Sequence, residues 1–202
     1  CCPTCRVSKE ENYCENGVFM GSGYDGLAQS RLVVPSENVI KIPSDTPDEI
    51  AVLTELCSVS VQSIKQIPAI KLKKGNIAVF GDGPVGFLTA SILYHLYDVP
   101  TNRLIVFGAD ADRLSKFDFA QQKLVQTFDS KENLDVEVVV ECTGGNFSES
   151  AINQGIDIIN RNGIILLLGV SENKVPINTR DVLEKGLTFK GSSRSSVSDY
   201  HT

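Results

Sequence analysis

The sequence predicts an α/β protein built on a doubly wound, parallel sheet of six strands. Three observations lead to this prediction. Short apolar runs rich in Val, Ile and Leu alternate with segments of helical periodicity over residues 76–190. A glycine-rich turn, GDGPVG, follows the first run directly and precedes a helical pattern. Continuous apolar runs of this length are typical of strands that are buried on both faces, as in parallel sheets.

The elements follow one another in a regular order along the chain. Strands are predicted at residues 77–80, 104–107, 124–128, 136–140, 164–168 and 187–190. Helices are predicted between them at 87–96, 114–121, 148–160 and 179–185. Six such strands make two mononucleotide-binding halves, so a ligand crevice is expected at the carboxyl ends of strands one and four. This arrangement is a Rossmann dinucleotide-binding domain.

The glycine turn supplies the clearest candidate site. Gly81 permits the tight turn, Gly83 lets the backbone approach a pyrophosphate, and Gly86 lets the helix lie close to the strand. The helix that follows presents free N–H groups and a partial positive charge to the phosphates. A glycine-rich loop without a ligand is the alternative, and the strand–turn–helix context argues against it. The other predicted contacts in this turn are Asp82, Pro84 and Val85.

The residue that ends the second strand indicates the cofactor. An acid about 20 residues after the glycines normally binds the adenosine ribose, but Gly108 stands there. A glycine leaves room for a 2′-phosphate, and Arg113 with Lys116 is placed to pair with it, so NADP is favoured over NAD. Two alternatives stay open: Asp110 or Asp112 supplies the acid, or Arg113 is only a solvated helix residue.

Composition limits the classes of partner. The chain has 202 residues, is 42% hydrophobic and carries a formal net charge of −6. Because no long basic cluster is present, nucleic acid is not an expected partner. No apolar stretch approaches the length of a membrane span, and a cytoplasmic location is expected. The first residue is not methionine, so the chain is expected to be an internal piece of a longer protein.

The first part of the chain differs from the sheet. Residues 1–60 are assigned to a separate domain and residues 61–202 to the dinucleotide-binding domain. Strand candidates lie at 28–34 and 39–42, and helices are predicted at 47–58 and 59–67. Four of the six cysteines lie within the first 14 residues, which in a reducing compartment indicates a metal site or its relic. Cys57 and Cys142 are interpreted as buried small hydrophobes.

Motifs in order along the chain resemble a known family. YDG, LVVP, TELCSVSVQSI, GDGPVG, ECTGG, LLLGV and EKGLTFKGSSRS are similar to the medium-chain zinc-dependent alcohol dehydrogenase superfamily. Within it, ENYCENGVFMGSGYDG, ECTGGNFSESAINQ and NTRDVLEKGLTFKGSSRS resemble the ribulose-5-phosphate reductases. By this resemblance, residues 1–60 are part of a GroES-like, β-rich catalytic domain. The resemblance implies an NADP-dependent zinc enzyme that passes hydride between NADPH and a carbonyl polarised by the metal.

The resemblance also implies metal ligands. Glu55 falls where polyol-type members carry a glutamate at the catalytic zinc, and the other ligands of that site are expected outside this chain. A solvated helix acid is the alternative for Glu55. Cys2, Cys5 and Cys14 match a structural zinc site with four thiolates. Ser8 stands in place of the third family cysteine, and Cys1 is a weak substitute because it adjoins another ligand.

The remaining implications concern the nicotinamide and the partners. The resemblance implies that the nicotinamide contacts Cys142, Thr143, Gly169, Val170 and Ser192. It implies a homodimer through the sixth strand, a sugar-phosphate substrate and a cytidylyltransferase of the same teichoic acid or capsule pathway as a partner. The leading function is reduction of ribulose 5-phosphate to ribitol 5-phosphate. A zinc polyol dehydrogenase with another substrate and a non-catalytic NADPH-binding module are the alternatives, and neither His95 nor His201 receives a catalytic role.

Overall fold

The architecture is known from a computed structural model, which describes residues 2–8, 10–129 and 131–202. Its centre is a parallel sheet with the strand order β3-β2-β1-β4-β5-β6. The strands are β1 (Asn76–Phe80), β2 (Leu104–Gly108), β3 (Gln121–Leu124), β4 (Val136–Glu141), β5 (Ile159–Leu167) and β6 (Thr188–Gly191). The predicted class, a doubly wound six-stranded parallel sheet, is confirmed.

Helices cover both faces of this sheet. They are α1 (Pro3–Ser8), α2 (Asp48–Ala51), α3 (Thr54–Ile64), α4 (Ala69–Lys74), α5 (Pro84–His95), α6 (Ala111–Leu114), α7 (Ser148–Ile158) and α8 (Thr179–Lys185). A single-turn 3-10 segment, Val197–His201, follows the last strand and packs on α3. No helix in the described ranges is long and apolar enough to cross a bilayer.

Alternate residues of β1 face opposite cores. Ile77 and Val79 pack with helices α3 and α5 on one face, whereas Ala78 and Phe80 pack with α7 on the other. All four side chains are fully buried. From Ile77 onward the strand is therefore apolar at every position because neither of its faces meets water, which is the pattern that the sequence presented.

The region between β2 and β3 departs from the prediction. The prediction of a helix at 114–121 is wrong, because α6 is a single turn that ends at Leu114. β3 begins three residues before the predicted strand. Leu114, Phe117 and Ala120 are all buried, and successive backbone hydrogen bonds over three residues connect them. Such turns bury every third residue much as a helix does, so apolar spacing alone does not distinguish the two. β3 itself is polar because it is an edge strand.

The strands expected at 28–34 and 39–42 are absent, and these residues are mostly exposed. In this region the structure describes an isolated β-bridge between Met20 and Tyr24. An extended segment becomes a strand only when its N–H and C=O groups pair with another strand, and the described residues provide no such partner. Val33, at 98% exposure, illustrates the result.

The helices before the sheet are also bounded differently. Instead of helices at 47–58 and 59–67, the structure has the short α2 and the continuous α3, which runs through residue 60. Ser60 and Ile64 of α3 are fully buried, and the Thr89 hydroxyl of α5 donates a 3.0 Å hydrogen bond to Ser60. The division at residues 60 and 61 stays a prediction. α3 runs across that point, and its Ile64 packs in the same core as Ile77 of β1.

Candidate cofactor site

The site lies where the strand order reverses. β1 pairs with β2 on one side and with β4 on the other, so their carboxyl ends open into one crevice. The turns after these strands line a cavity of about 320 Å³. This is the position at which doubly wound sheets bind nucleotides, and it is the position that the strand pattern predicts.

The glycine turn has the geometry that its sequence predicts. Gly81 adopts a φ of +131°, which favours glycine. A Cβ atom on Gly86 would lie 2.0 Å from the Gly81 carbonyl oxygen, so this residue must be glycine for the helix to contact the strand. At Gly83 a Cβ atom would meet nothing within 4 Å, and α5 begins at Pro84 immediately afterwards. The space over Gly83 therefore fits a diphosphate at the start of the helix.

Gly108 lies at the end of β2, but the space beside it is taken. A Cβ atom at this position would lie 2.9 Å from a carboxylate oxygen of Asp82. That oxygen accepts hydrogen bonds from the backbone N–H groups of Ala109 and Asp110, each at 2.8 Å. Sequence reasoning placed Asp82 at the cofactor but missed this contact, which only the proximity of two turns creates.

Of the two predicted phosphate-pairing cations, the cavity lining includes Arg113 and does not include Lys116. Asp110, the alternative ribose acid, caps α6 by accepting hydrogen bonds from the N–H groups of Asp112 and Arg113. The Arg113 N–H is the main reason that the pKa of Asp110 lies below its ordinary value. Asp110 therefore has a structural partner already.

A buried carboxylate organises the other half of the crevice. Glu141 ends β4 and is 1% exposed. It accepts hydrogen bonds from the N–H groups of Thr143 at 2.8 Å, Gly144 at 3.1 Å and Gly169 at 3.2 Å, and from the Thr143 hydroxyl. Sequence reasoning missed this residue. The available signal was a charged side chain directly after three consecutive valines, at the end of a strand.

Residues predicted to contact the nicotinamide gather beside Glu141. Cys142, Thr143, Gly169 and Val170 line a second opening of about 430 Å³, together with Val85 of the glycine turn. Burial raises the pKa of the Cys142 thiol to about 12, so the sulfur is an uncharged part of the wall.

Ser192 follows β6 and is buried. Its N–H donates to the Leu167 carbonyl at 2.9 Å, which leaves this donor unavailable to a carboxamide. Its hydroxyl oxygen has no hydrogen-bond partner among the described residues. An unpaired buried hydroxyl of this kind fits a polar ligand group.

The three predicted ligands of the structural zinc site, Cys2, Cys5 and Cys14, lie close together and are called the cysteine lobe. The sulfur of Cys2 lies 3.5 Å from that of Cys5 and 3.8 Å from that of Cys14. The N–H of Cys5 is the main cause that lowers the pKa of Cys2 to about 6, while hydrogen bonding to Cys14 raises the pKa of Cys5 to about 12. Ser8 is exposed and bonds the Thr4 carbonyl. Cys1 lies outside the described residues.

Glu55 lies apart from these thiols. It is exposed on the first turn of α3 and lines a separate cavity of about 650 Å³ near Arg194 and Ser195. In the part of the chain that the structure describes, Glu55 belongs to no group of three potential metal ligands. The described residues therefore do not form a catalytic zinc site by themselves. His95 and His201 are exposed and do not line the crevice.

Comparisons with known proteins agree with this geometry. The chain matches no protein-family model. It is 40% identical to ribulose-5-phosphate reductase 1 of Staphylococcus aureus over 94% of this chain and 55% of that protein. The crystal structure of S. aureus TarJ in complex with NADPH matches at a TM-score of 0.80 and 38% identity, over 87% of this chain and 55% of the other.

A third comparison concerns the fold alone. Escherichia coli L-idonate 5-dehydrogenase superposes with a TM-score of 0.85 at 19% identity, over 99% of this chain and 59% of that one. The chain thus spans about half the length of the relatives that it matches. Its fold and crevice are those of a dinucleotide-binding domain. The predicted resemblance to ribulose-5-phosphate reductases is confirmed, because proteins of that name are 36–40% identical to 94% of this chain, whereas L-threonine 3-dehydrogenases match at 26–29%.

Proposed function

We infer that the protein is an NADPH-dependent reductase that converts ribulose 5-phosphate to ribitol 5-phosphate. The observation that carries this inference is the open space over Gly83 at the start of α5. The similarity to ribulose-5-phosphate reductase 1 of S. aureus indicates the reaction. The NADPH complex of TarJ supports the choice of cofactor. Gly108 and Arg113 support it less directly, because Asp82 stands beside them.

This chain contributes mainly the cofactor half of the site. The backbone of the glycine turn holds the diphosphate, and Arg113 lies at the adenosine end of the crevice. The two loops tied together by Glu141 form the wall against which the nicotinamide packs. When bound, NADPH supplies the hydride and zinc polarises the ketone, so that the C2 carbonyl gains hydride and a proton and becomes a secondary alcohol.

Zinc is part of the proposal. Cys2, Cys5 and Cys14 offer three of the four thiolates of a structural zinc site. Among the described residues, Glu55 is the candidate ligand for the catalytic zinc. Its exposure on α3 leaves it accessible to ligands from outside this chain.

The proposal extends to assembly and pathway. Among the described strands β6 pairs with β5 alone and so ends the sheet. The Gly191 carbonyl accepts a hydrogen bond from the Tyr13 hydroxyl, and the other outer N–H and C=O groups of β6 are available for a homodimer. The product fits the supply of CDP-ribitol for teichoic acid or capsule synthesis in the cytoplasm. A cytidylyltransferase that consumes ribitol 5-phosphate is then the expected partner.

The test is an assay of NADPH oxidation by the intact protein with ribulose 5-phosphate, with zinc present. Ribulose without phosphate and NADH are the controls. We expect consumption of NADPH that requires both the phosphate and the metal. A zinc polyol dehydrogenase, which the Asp82 carboxylate beside the ribose position favours, would instead oxidise polyols with NAD. Binding of NADPH without any turnover would identify a non-catalytic module.

A further inference from the structure

Asp82 belongs to the glycine turn after β1, but its carboxylate reaches the turn after β2. One oxygen accepts the N–H groups of both Ala109 and Asp110 at 2.8 Å. The same oxygen lies 2.9 Å from where a Cβ atom of residue 108 would be. A carboxylate therefore stands beside the end of the second strand although Gly108 itself has no side chain.

That position has a defined role in dinucleotide-binding sheets. The acid that binds the ribose 2′-hydroxyl normally ends the second strand. Asp82 brings an acid to the same place from the neighbouring turn, where a 2′-hydroxyl can donate to it. Neither alternative acid is equivalent, because Asp110 caps α6 and Asp112 does not line the cavity.

A 2′-phosphate meets a different environment at the same place. It is an anion and is stabilised by charge-assisted hydrogen bonds from N–H donors and guanidinium groups. The N–H groups of Ala109 and Asp110 already bind the Asp82 carboxylate. Two anions side by side repel each other, and the same two N–H groups cannot serve both. Binding of a 2′-phosphate therefore requires the Asp82 side chain to rotate away, whereas binding of a 2′-hydroxyl does not.

We propose that Asp82 sets the cofactor preference of this protein by holding the backbone donors that a 2′-phosphate requires and by favouring a free 2′-hydroxyl. The inference rests on the proposed dinucleotide-binding function. It means that the preference for NADPH over NADH is smaller than Gly108 and Arg113 alone would produce.

The test uses ADP-ribose and 2′-phospho-ADP-ribose, which contain the adenosine end of the two cofactors without the nicotinamide. Their affinities for the protein are measured by titration calorimetry. Asp82→Ala should raise the affinity for 2′-phospho-ADP-ribose about tenfold, because it removes a negative charge. It should lower the affinity for ADP-ribose a few-fold, because it removes a hydrogen-bond acceptor. Asp82→Asn keeps one acceptor oxygen. It should change the ratio of the two affinities in the same direction, but by a smaller factor. Asp112→Asn is the matched control and should change neither affinity.

A swap variant makes the test more specific. Asp82→Gly combined with Gly108→Asp moves the carboxylate onto the strand and should restore the wild-type preference, since the glycine in the turn makes room for it. An unchanged ratio in both single variants, or weaker binding of the 2′-phosphate, overturns the role of Asp82. If Asp82→Ala does not fold, the ratio measured for Asp82→Asn decides. If the wild-type protein binds neither ligand, the proposed dinucleotide function itself fails.

Discussion

The Glu141 carboxylate at the end of β4 accepts the N–H of Gly169, which follows β5, at 3.2 Å. This bond joins the two loops that form the proposed nicotinamide wall. Gly169 can lie there only because it lacks a side chain: a Cβ atom would be 2.5 Å from a Glu141 oxygen. The buried charge and the glycine are thus parts of one arrangement.

Removing this carboxylate should weaken both the fold and the nicotinamide site. Glu141→Gln replaces one acceptor oxygen with an amide donor. The Gly169 N–H then faces another N–H group and keeps only its 3.0 Å hydrogen bond to the Glu141 backbone carbonyl. We expect a loss of about 1–3 kcal/mol in the free energy of unfolding. NADPH should lose more affinity than 2′-phospho-ADP-ribose, because Gly169 lines the opening proposed for the nicotinamide and not the 320 Å³ cavity, whereas Thr143 lines both. Calorimetry and thermal unfolding measure the two effects.

The exposed Glu149 of α7 provides the control for Glu141. Glu149→Gln should leave stability and both affinities unchanged. An equal loss for the two ligands in Glu141→Gln would show that the carboxylate supports the whole crevice rather than the nicotinamide wall.

Two glycines of the same turn should respond in opposite ways to alanine. Gly83→Ala places its methyl group in open space at a φ of −85°, so stability should change by less than about 0.5 kcal/mol. Cofactor binding should fall about tenfold or more, because the methyl group fills the space for the diphosphate. Gly86→Ala places its methyl group against the Gly81 carbonyl and should destabilise the fold by about 1–3 kcal/mol or more.

Thermal unfolding and NADPH titration of both glycine variants give the comparison. Normal NADPH affinity in a folded Gly83→Ala protein would remove the diphosphate from this turn.

A buried ion pair should make stability depend on pH. Lys65 donates a 2.6 Å hydrogen bond to Asp199, whose side chain is 1% exposed. Burial raises the pKa of Asp199, but the hydrogen bonds from Lys65 and Ser196 outweigh it, so the pKa lies below its ordinary value. A lowered pKa stabilises the fold above the unfolded value of about 4, and this stabilisation is lost as the pH falls through the folded pKa.

Asp199→Asn should therefore lower the free energy of unfolding at pH 7 by about 1–3 kcal/mol, a range reduced because the Lys65 side chain is 35% exposed. The difference from wild type should shrink below about pH 4. Denaturant unfolding at pH 7 and pH 3 measures it. Glu184→Gln, which removes the exposed pair with Arg180, is the control and should cost less than about 0.5 kcal/mol. A difference that stays constant with pH contradicts the assignment.

The cysteine lobe should bind one zinc ion. Cys14→Ser removes one of the three thiols that lie together and should lower the zinc content by one ion per chain. Cys57→Ser, on α3, is the control and should retain the wild-type content. Metal analysis after dialysis measures this. Equal zinc content in wild type and Cys14→Ser would exclude the lobe as a zinc site.

The local pattern of the sequence was sufficient for much of this protein. Continuous apolar runs predicted β1, β2 and β4 to within a residue or two, because these strands are buried on both faces. β6 was also predicted to within one residue, although its side chains are mostly exposed. The count of six strands in two mononucleotide-binding halves predicted the crevice at the carboxyl ends of strands one and four. The separate structural roles of Gly81, Gly83 and Gly86 could also be predicted from the sequence, because each role depends on residues nearby in the chain.

Contacts between distant segments decided the rest. Asp82 and Gly108 are 26 positions apart in the sequence, and Glu141 and Gly169 are 28 apart, so no local pattern reveals that they touch. The one-turn α6 and the unpaired segment 28–34 were equally beyond local reasoning, because turns mimic helical spacing and a strand requires a partner. The sequence by itself determined where the cofactor crevice lies. Only the tertiary structure decided which charges face it, because that depends on how the loops after neighbouring strands approach each other.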